Sequence, residues 1–378
     1  MTLLVSRPPF TIFSMTIKQK VLFLEQPNKQ VLHRFEQLFE CVYYELTTIE
    51  QCIMDFQTKL NDIEAIYCGW PGFAPLGGFK GKLVEFAPKS LKIVTTCTIG
   101  YDHFDVKAMT TKNIILTNSP STMAYDAVAD LVLYNTIASF RNFKIYEQNF
   151  CTDRYTQSGM LTKSLVSAKF DQVKGMAIST PTMGTAYGKA CCQRANLSPR
   201  NHHVVIVGFG HIGQSIAARL ASIGMIIHYV KRNKLSDEEE KQLGFPIIFH
   251  KHLSETTSLA DLVVIACPRT PATRHMVNDE LINNMKKQFR IINVGRGSVV
   301  DEVALVHGLK SGKILFAGLD VFEEEPLVHP ELLDRQDVVL TPHIGSASTE
   351  NYNYTAITCL ENIETVLLNF DRAITQVN

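Results

Sequence analysis

The string Gly208-Phe209-Gly210-His211-Ile212-Gly213 matches G-x-G-x-x-G. Its setting makes it specific: a β-branched run, His203–Gly208 (HVVIVG), leads straight into it, and a stretch of helical spacing, Gln214–Ile223, follows at once. Strand, glycine turn and helix in that order open a βαβ unit that binds a dinucleotide. Gly208 permits the tight turn, Gly210 lets the backbone approach a pyrophosphate, and Gly213 lets helix and strand pack closely. The anion rests on the helix N-terminus, where free N–H groups and the dipole favour negative charge. His211 and Ile212 join the glycines as cofactor-binding candidates. A glycine turn without a ligand is the competing reading, and the flanking pattern disfavours it.

The next strand, Met225–Val230, should end near an acid that grips the adenosine ribose. The sequence there is Lys231-Arg232-Asn233-Lys234. Lys231 and Arg232 suit a 2′-phosphate through charge-assisted hydrogen bonds, which favours NADP(H) over NAD(H). A solvated basic strand end is the alternative.

Alternating strands and helices extend through the chain. Strands are expected at Lys20–Glu25, Ala65–Gly69, Leu91–Cys97 and Ile114–Thr117, with helical spacing at Val31–Phe39 and Phe104–Met109. One long helix is expected over Thr122–Phe143. From Cys151 to Pro199 periodicity fades into an irregular excursion, with an insertion expected within 151–199. Beyond His203, six strands are expected: His203–Gly208, Met225–Val230, Asp261–Cys267, Ile291–Val294, Phe316–Leu319 and Val338–Leu340. A final helix is expected over Thr349–Leu368. The pattern is α/β, with parallel sheets covered on both faces.

Lys plus Arg equals Asp plus Glu at 37 each, so no global field steers the chain toward nucleic acid or an anionic membrane. No apolar run reaches spanning length. Nine cysteines, scattered in apolar runs and without a CxxC pair, fit reduced thiols in the cytoplasm better than disulfides, and no metal site is expected. The neighbours Cys191–Cys192 and His202–His203 read as surface or loop residues. Residues 1–24 hold Arg7, Lys18 and Lys20 but no acid, a weak mitochondrial-presequence signal. A leader before the first strand, with Met15 as an alternative start, is preferred.

Three segments each place a polar residue past a strand end, the rim where open α/β sheets bind ligands. They are IINVGRGSVVD with Arg296, GLDVFEEEP with Glu325, and VVLTPHIGSA with His343. Hydride transfer to a ketone needs a proton donor, and His suits neutral pH. A carboxylate would orient the imidazole, and an Arg fork would clamp a substrate carboxylate. Each residue alone is more often structural; the combination carries the reading.

These segments resemble the D-isomer-specific 2-hydroxyacid dehydrogenase family, from about Leu91 onward. The segments TIGYDHFDVKAMTTKNIILTN (Thr98–Asn118), Ala127–Asp130, with Asp where the family has Glu, and ACPRTPAT (Ala266–Thr273) add to the match. The glyoxylate and hydroxypyruvate reductases are nearest in character. The resemblance implies a Rossmann cofactor domain (122–344) and a flavodoxin-like substrate domain (15–121 plus 345–378). It implies Arg296, Glu325 and His343 as the catalytic set, and Thr98, Ile99 and Gly100 on the substrate. On the cofactor it implies Cys267, Pro268, Thr273, Val294 and Asp320, the last on the nicotinamide amide. A homodimer and a small 2-keto acid reduced to the D-2-hydroxy acid in the cleft, with Trp70 a candidate for lining the pocket, follow as expectations.

Formate dehydrogenases place Gln where Glu325 stands, and 35 residues after His343 leave no room for a C-terminal regulatory domain. A short phosphoglycerate dehydrogenase, and a corepressor-like module that senses dinucleotide without turnover, are the other readings of this fold.

Overall fold

The computed structural model describes residues 18–150 and 157–378. The leader and presequence readings, and Cys151, fall outside the described residues. The chain divides into two compact units, residues 18–121 with Thr349–Asn378, and Thr122–Ser348.

The first unit carries a parallel sheet of five strands, β1 (Lys20–Phe23), β2 (Glu40–Tyr43), β3 (Ala65–Tyr67), β4 (Ile93–Thr95) and β5 (Ile115–Thr117), in the order β2-β1-β3-β4-β5. This is the flavodoxin-like order. β3 and β4 are buried throughout, because helices cover both faces. Leu22, Ile66 and Val94 face one core; Val21, Ala65 and Ile93 face another with Ala356, Leu360 and Ile363 of helix Thr349–Leu367. Each such aliphatic side chain contributes about 1.5–3 kcal/mol by leaving water. β2 and helix Ile49–Gln57 were not legible in the sequence: ECVY is half exposed at the sheet edge and lacks an apolar run. The helix expected from Phe104 starts at Val106, because the Asp105 side chain caps it through the Ala108 N–H at 3.0 Å.

The second unit opens with helix Thr122–Arg141. It stops two residues before expectation because Asn142 takes a left-handed backbone, φ +52°, and a short helix Phe143–Asn149 follows. The excursion is not irregular. It contains helix Ser158–Ser167 and two hairpins, β6 (Lys169–Asp171) with β7 (Met176–Ile178), and β8 (Ala190–Cys191) with β9 (Arg194–Ala195). Leu161, Leu165, Ala168, Cys191 and Cys192 form a small core of their own with Ile145. Cys191 and Cys192 are therefore buried, correcting the surface reading; in a segment short of aliphatics, thiols fill the core.

The main sheet of this unit has seven parallel strands, β10 (His203–Val207), β11 (Ile226–Val230), β12 (Ile247–His250), β13 (Leu262–Ile265), β14 (Phe289–Asn293), β15 (Ile314–Leu319) and β16 (Val338–Leu340). Their order is β12-β11-β10-β13-β14-β15-β16, one strand more than expected. The added β12 is an edge strand with no fully buried residue. Val204 and Ile206 pack on Val128, Val132, Ile216 and Leu220, while Val205 and Val207 share the opposite core with Ile282, Leu305 and Leu309. His203 lies on β10 rather than in a loop. Its Nδ1 meets His228 Nε2 at 2.9 Å, and His228 Nδ1 meets His250 Nε2 at 2.9 Å, a diagonal row across three strands. Among the described residues, no helix is long and apolar enough to cross a membrane.

Candidate active site

Parallel strands present their carboxyl ends on one rim, so residues far apart in the chain meet there. Gly208 follows β10 with φ +94°, and a Cβ on it would stand 2.7 Å from the Ala266 carbonyl and from Cys267. Gly213 packs equally closely, its Cβ position 2.2 Å from the Gly208 carbonyl. Gly210 differs: a Cβ there would meet nothing within 4 Å. Gly210 precedes helix His211–Ser222, whose first turn no side chain caps. A tight turn, open space above the middle glycine and an uncapped helix N-terminus fit a pyrophosphate. The His211 ring stacks on Tyr125 at 5.2 Å, which fixes the residue that opens the helix beside Ile212. Asp130, at the position where the family has Glu, accepts Arg219 Nε at 2.6 Å and so joins the two long helices of this rim.

Lys231 and Arg232 follow the last residue of β11; Lys231 is half-buried and Arg232 exposed. The Lys231 N–H donates to the His250 carbonyl at 3.4 Å, tying this basic end to the edge strand β12.

The loop after β13 is ordered by Thr273, whose hydroxyl donates to the Pro268 carbonyl at 2.9 Å and accepts the Thr270 N–H at 2.7 Å. Burial pushes the Cys267 thiol up to about 11, leaving it neutral at the rim. Gly295 packs against Cys267, and the Val294 N–H donates to the Ile265 carbonyl at 3.0 Å.

The structure brings Arg296, Glu325 and His343 together within this unit. His343 Nδ1 lies 2.9 Å from Glu325 Oε2, and Glu325 Oε1 accepts the Phe322 N–H at 3.0 Å. Burial pushes the Glu325 carboxyl upward. The hydrogen bonds from His343 and Phe322, with the charges of His343 and Arg296, outweigh burial and hold it below the usual carboxylate range. Arg296 anchors to its own turn, Nη1 donating to the Gly295 carbonyl at 2.8 Å. Both side chains of the pair keep access to solvent, 40% for His343 and 37% for Glu325.

Asp320 is buried, and its carboxylate builds the His343 turn. Oδ1 accepts the Thr341 hydroxyl at 2.6 Å and the Ile344 N–H at 2.9 Å, and Oδ2 accepts the Gly345 N–H at 2.8 Å. The His343 N–H donates to the Asp320 carbonyl at 2.8 Å. His343 can thereby hold φ +54°, a left-handed backbone that costs a β-carbon residue about 1–2 kcal/mol. Sequence reasoning missed this anchoring role, because its partners lie 21–25 residues away.

In the first unit, Thr98, Ile99 and Gly100 follow β4. Their carbonyls are held by the Ser119 N–H at 3.0 Å, the Asn118 amide at 2.8 Å and the Thr98 hydroxyl at 2.7 Å. Trp70, on the loop after β3, is exposed and donates its backbone N–H to Glu25 at 2.6 Å. Among the described residues, no group of three or more His, Cys, Asp or Glu could hold a metal ion.

A family profile described as the NAD binding domain of D-isomer specific 2-hydroxyacid dehydrogenases matches residues 184–345. A glyoxylate reductase of Pyrococcus horikoshii is 38% identical over 267 residues, 71% of this chain and 70% of that protein. Among solved structures, the holo form of Rhodotorula graminis D-mandelate dehydrogenase is similar at a TM-score of 0.82 with 26% identity, covering 96% of this chain and 98% of that one. An NADPH-dependent glyoxylate/hydroxypyruvate reductase from Sinorhizobium meliloti, solved with NADP and malonate, is similar at a TM-score of 0.72 with 27% identity, covering 95% and 97%.

Proposed function

The chain belongs to the D-isomer specific 2-hydroxyacid dehydrogenase family, NAD(P)H-dependent reductases of small 2-keto acids, and from that premise we propose that it reduces glyoxylate or hydroxypyruvate to the D-2-hydroxy acid with NADPH. The observation that carries this reading is the Glu325–His343 pair at 2.9 Å on the same sheet rim as the open glycine turn.

The bound dinucleotide supplies the hydride; the chain's own residues do the rest. Gly208–Gly213 receive the pyrophosphate. Cys267, Pro268, Thr273, Val294 and Asp320 bound the nicotinamide side, and Lys231 and Arg232 take the 2′-phosphate as paired cations. Arg296 binds the substrate carboxylate and polarises the carbonyl. His343 delivers a proton to the carbonyl oxygen as its negative charge develops, and Glu325 stabilises the imidazolium and fixes its direction. In the first unit, the substrate domain of this reading, the backbone amides of Thr98, Ile99 and Gly100 are candidate donors to a substrate carboxylate.

We assign a homodimer as well, supported by Val173, Ile178, Met183 and Tyr187, apolar side chains of the excursion that are all exposed, Tyr187 to 90%. Light scattering should give twice 42.4 kDa. A reducing compartment, the cytoplasm, is supported by the eight described cysteines, all free.

The decisive assay follows absorbance of reduced cofactor with glyoxylate, hydroxypyruvate, pyruvate, branched keto acids and phosphohydroxypyruvate, each with NADPH and NADH. Turnover of the first two with NADPH is expected. Binding of NADPH without oxidation by any acid would make the protein a dinucleotide-sensing module. Turnover of phosphohydroxypyruvate alone would make it a short phosphoglycerate dehydrogenase.

A further inference from the structure

Outside the catalytic set, His275, Glu302 and Glu323 join the loops that carry it. Glu302 is 7% exposed and opens helix Glu302–Lys310, six residues after Arg296. Its Oε1 accepts the Glu323 N–H at 2.9 Å, and Glu323 Oε2 accepts the Glu302 N–H at 3.3 Å. The other Glu323 oxygen is held by His275 Nε2, with Arg274 Nη2 at 3.8 Å. His275 follows the nicotinamide-side loop, takes φ +49°, and donates its N–H to the Ser298 carbonyl at 2.9 Å. A Cβ at Gly297 would stand 1.8 Å from the Phe322 backbone, so the Arg296 turn and the Glu325 loop are already in contact.

Two carboxylates placed this close, one buried and one half-buried, are costly unless their oxygens are satisfied. Here each accepts the other's backbone N–H. Burial raises the Glu302 carboxyl, backbone donors oppose it, and the negative charge of Glu323 adds to the rise. Asp301, 3.9 Å from His275 Nδ1, and His329 are the other charged groups facing the cluster. Glu323 immediately follows Phe322, whose N–H is the second ligand of the Glu325 carboxylate.

We propose that Glu302 and Glu323, braced by His275, are positioning residues for the reaction: their reciprocal carboxylate–amide clamp sets the Phe322 N–H against Glu325 and so the direction in which Glu325 holds His343. This rests on the reading of His343 as proton donor.

Glu323→Gln keeps the shape but turns one acceptor into a donor, which must face either His275 or the Glu302 N–H. With the full-length protein, kcat is expected to fall about tenfold while the NADPH dissociation constant stays unchanged and the protein stays folded, its Tm lower by only a few degrees. The midpoint of the His343 titration, read by NMR of 15N-histidine-labelled protein and identified with His343→Ala, should move by about half a unit. His275→Gln, which keeps an N–H donor, should retain most of kcat, and His275→Leu should not. A Glu323→Gln enzyme with wild-type kcat and an unmoved His343 titration overturns the proposal, as does a loss of activity matched by loss of folded, NADPH-binding protein. The NMR titration decides it even where wild-type protein turns over no keto acid, an outcome that would sink the functional reading separately.

Discussion

Gly345 donates its backbone N–H to Asp320 Oδ2 at 2.8 Å, and a Cβ at Gly345 would stand 2.7 Å from that oxygen. The carboxylate and the glycine are thus fitted to each other, and the turn they close is the one that presents His343. Asp320→Asn replaces one acceptor by a donor facing an N–H group. It should lower kcat about 100-fold and cost about 1–3 kcal/mol in urea unfolding, because a buried donor loses its partner. Steady-state kinetics with equilibrium unfolding on one preparation checks both; a variant as active as wild type removes Asp320 from the support of the site.

His343→Ala should cut kcat by about 10³ while leaving the NADPH dissociation constant unchanged. Glu325→Gln removes the charge that favours the imidazolium, so the alkaline limb of the kcat profile should move to lower pH by about one unit. The wild-type Glu325 carboxyl already sits below its ordinary range, so it stays ionised through neutrality. A limb that stays in place in Glu325→Gln would contradict the pairing.

Lys231→Asp replaces the cation proposed for the 2′-phosphate by the acid typical of ribose recognition. The ratio of kcat/KM for NADPH over NADH should fall at least about tenfold, and wild-type affinity for NADPH should weaken with salt. An unaltered ratio would place the 2′-phosphate elsewhere.

The histidine row predicts acid sensitivity. Burial, then the neighbouring charges of His203 and His250, push the buried His228 down to about 4 from an ordinary 6.5. Below pH 6.5 the unfolded chain takes up a proton that the fold refuses until about pH 4, so stability falls as pH falls through that window. The loss for this one group is on the order of 3 kcal/mol at the bottom of the window. Urea unfolding at pH 7.5 and pH 5 should show it, and His228→Val, which suits a central strand, should flatten the dependence. Equal slopes in the two proteins would assign the acid sensitivity to other groups.

What the sequence disclosed follows from how locally each feature is encoded. HVVIV and LVVI are buried on both faces, so unbroken β-branched runs betray β10 and β13. The glycine turn was legible because three backbone constraints fall within six residues. β2 and β12 escaped because both are four-residue edge strands without a fully buried residue, too short to show a period of two. Nothing in the sequence could pair His203 with His228 or Glu302 with Glu323, since those contacts depend on strand register and on loops meeting across 21 to 25 residues. Cys191 and Cys192 read as surface because their small core is assembled from fragments between residues 145 and 192.

The placement of helix Thr349–Leu367 with the first unit has a consequence for synthesis on the ribosome. The strand Ile115–Thr117 receives the Val377 N–H at its Leu116 carbonyl at 2.8 Å and gives its Leu116 N–H to the Asn378 side chain at 2.7 Å. Those partners are translated only after the whole of Thr122–Ser348 has left the peptidyl-transferase centre. The unit begun first is finished last: its sheet must wait, one face only partly covered, while the inserted unit can already fold. Nascent chains are therefore most exposed to chaperones and to misassembly through the sheet of residues 20–117, not through the dinucleotide-binding unit.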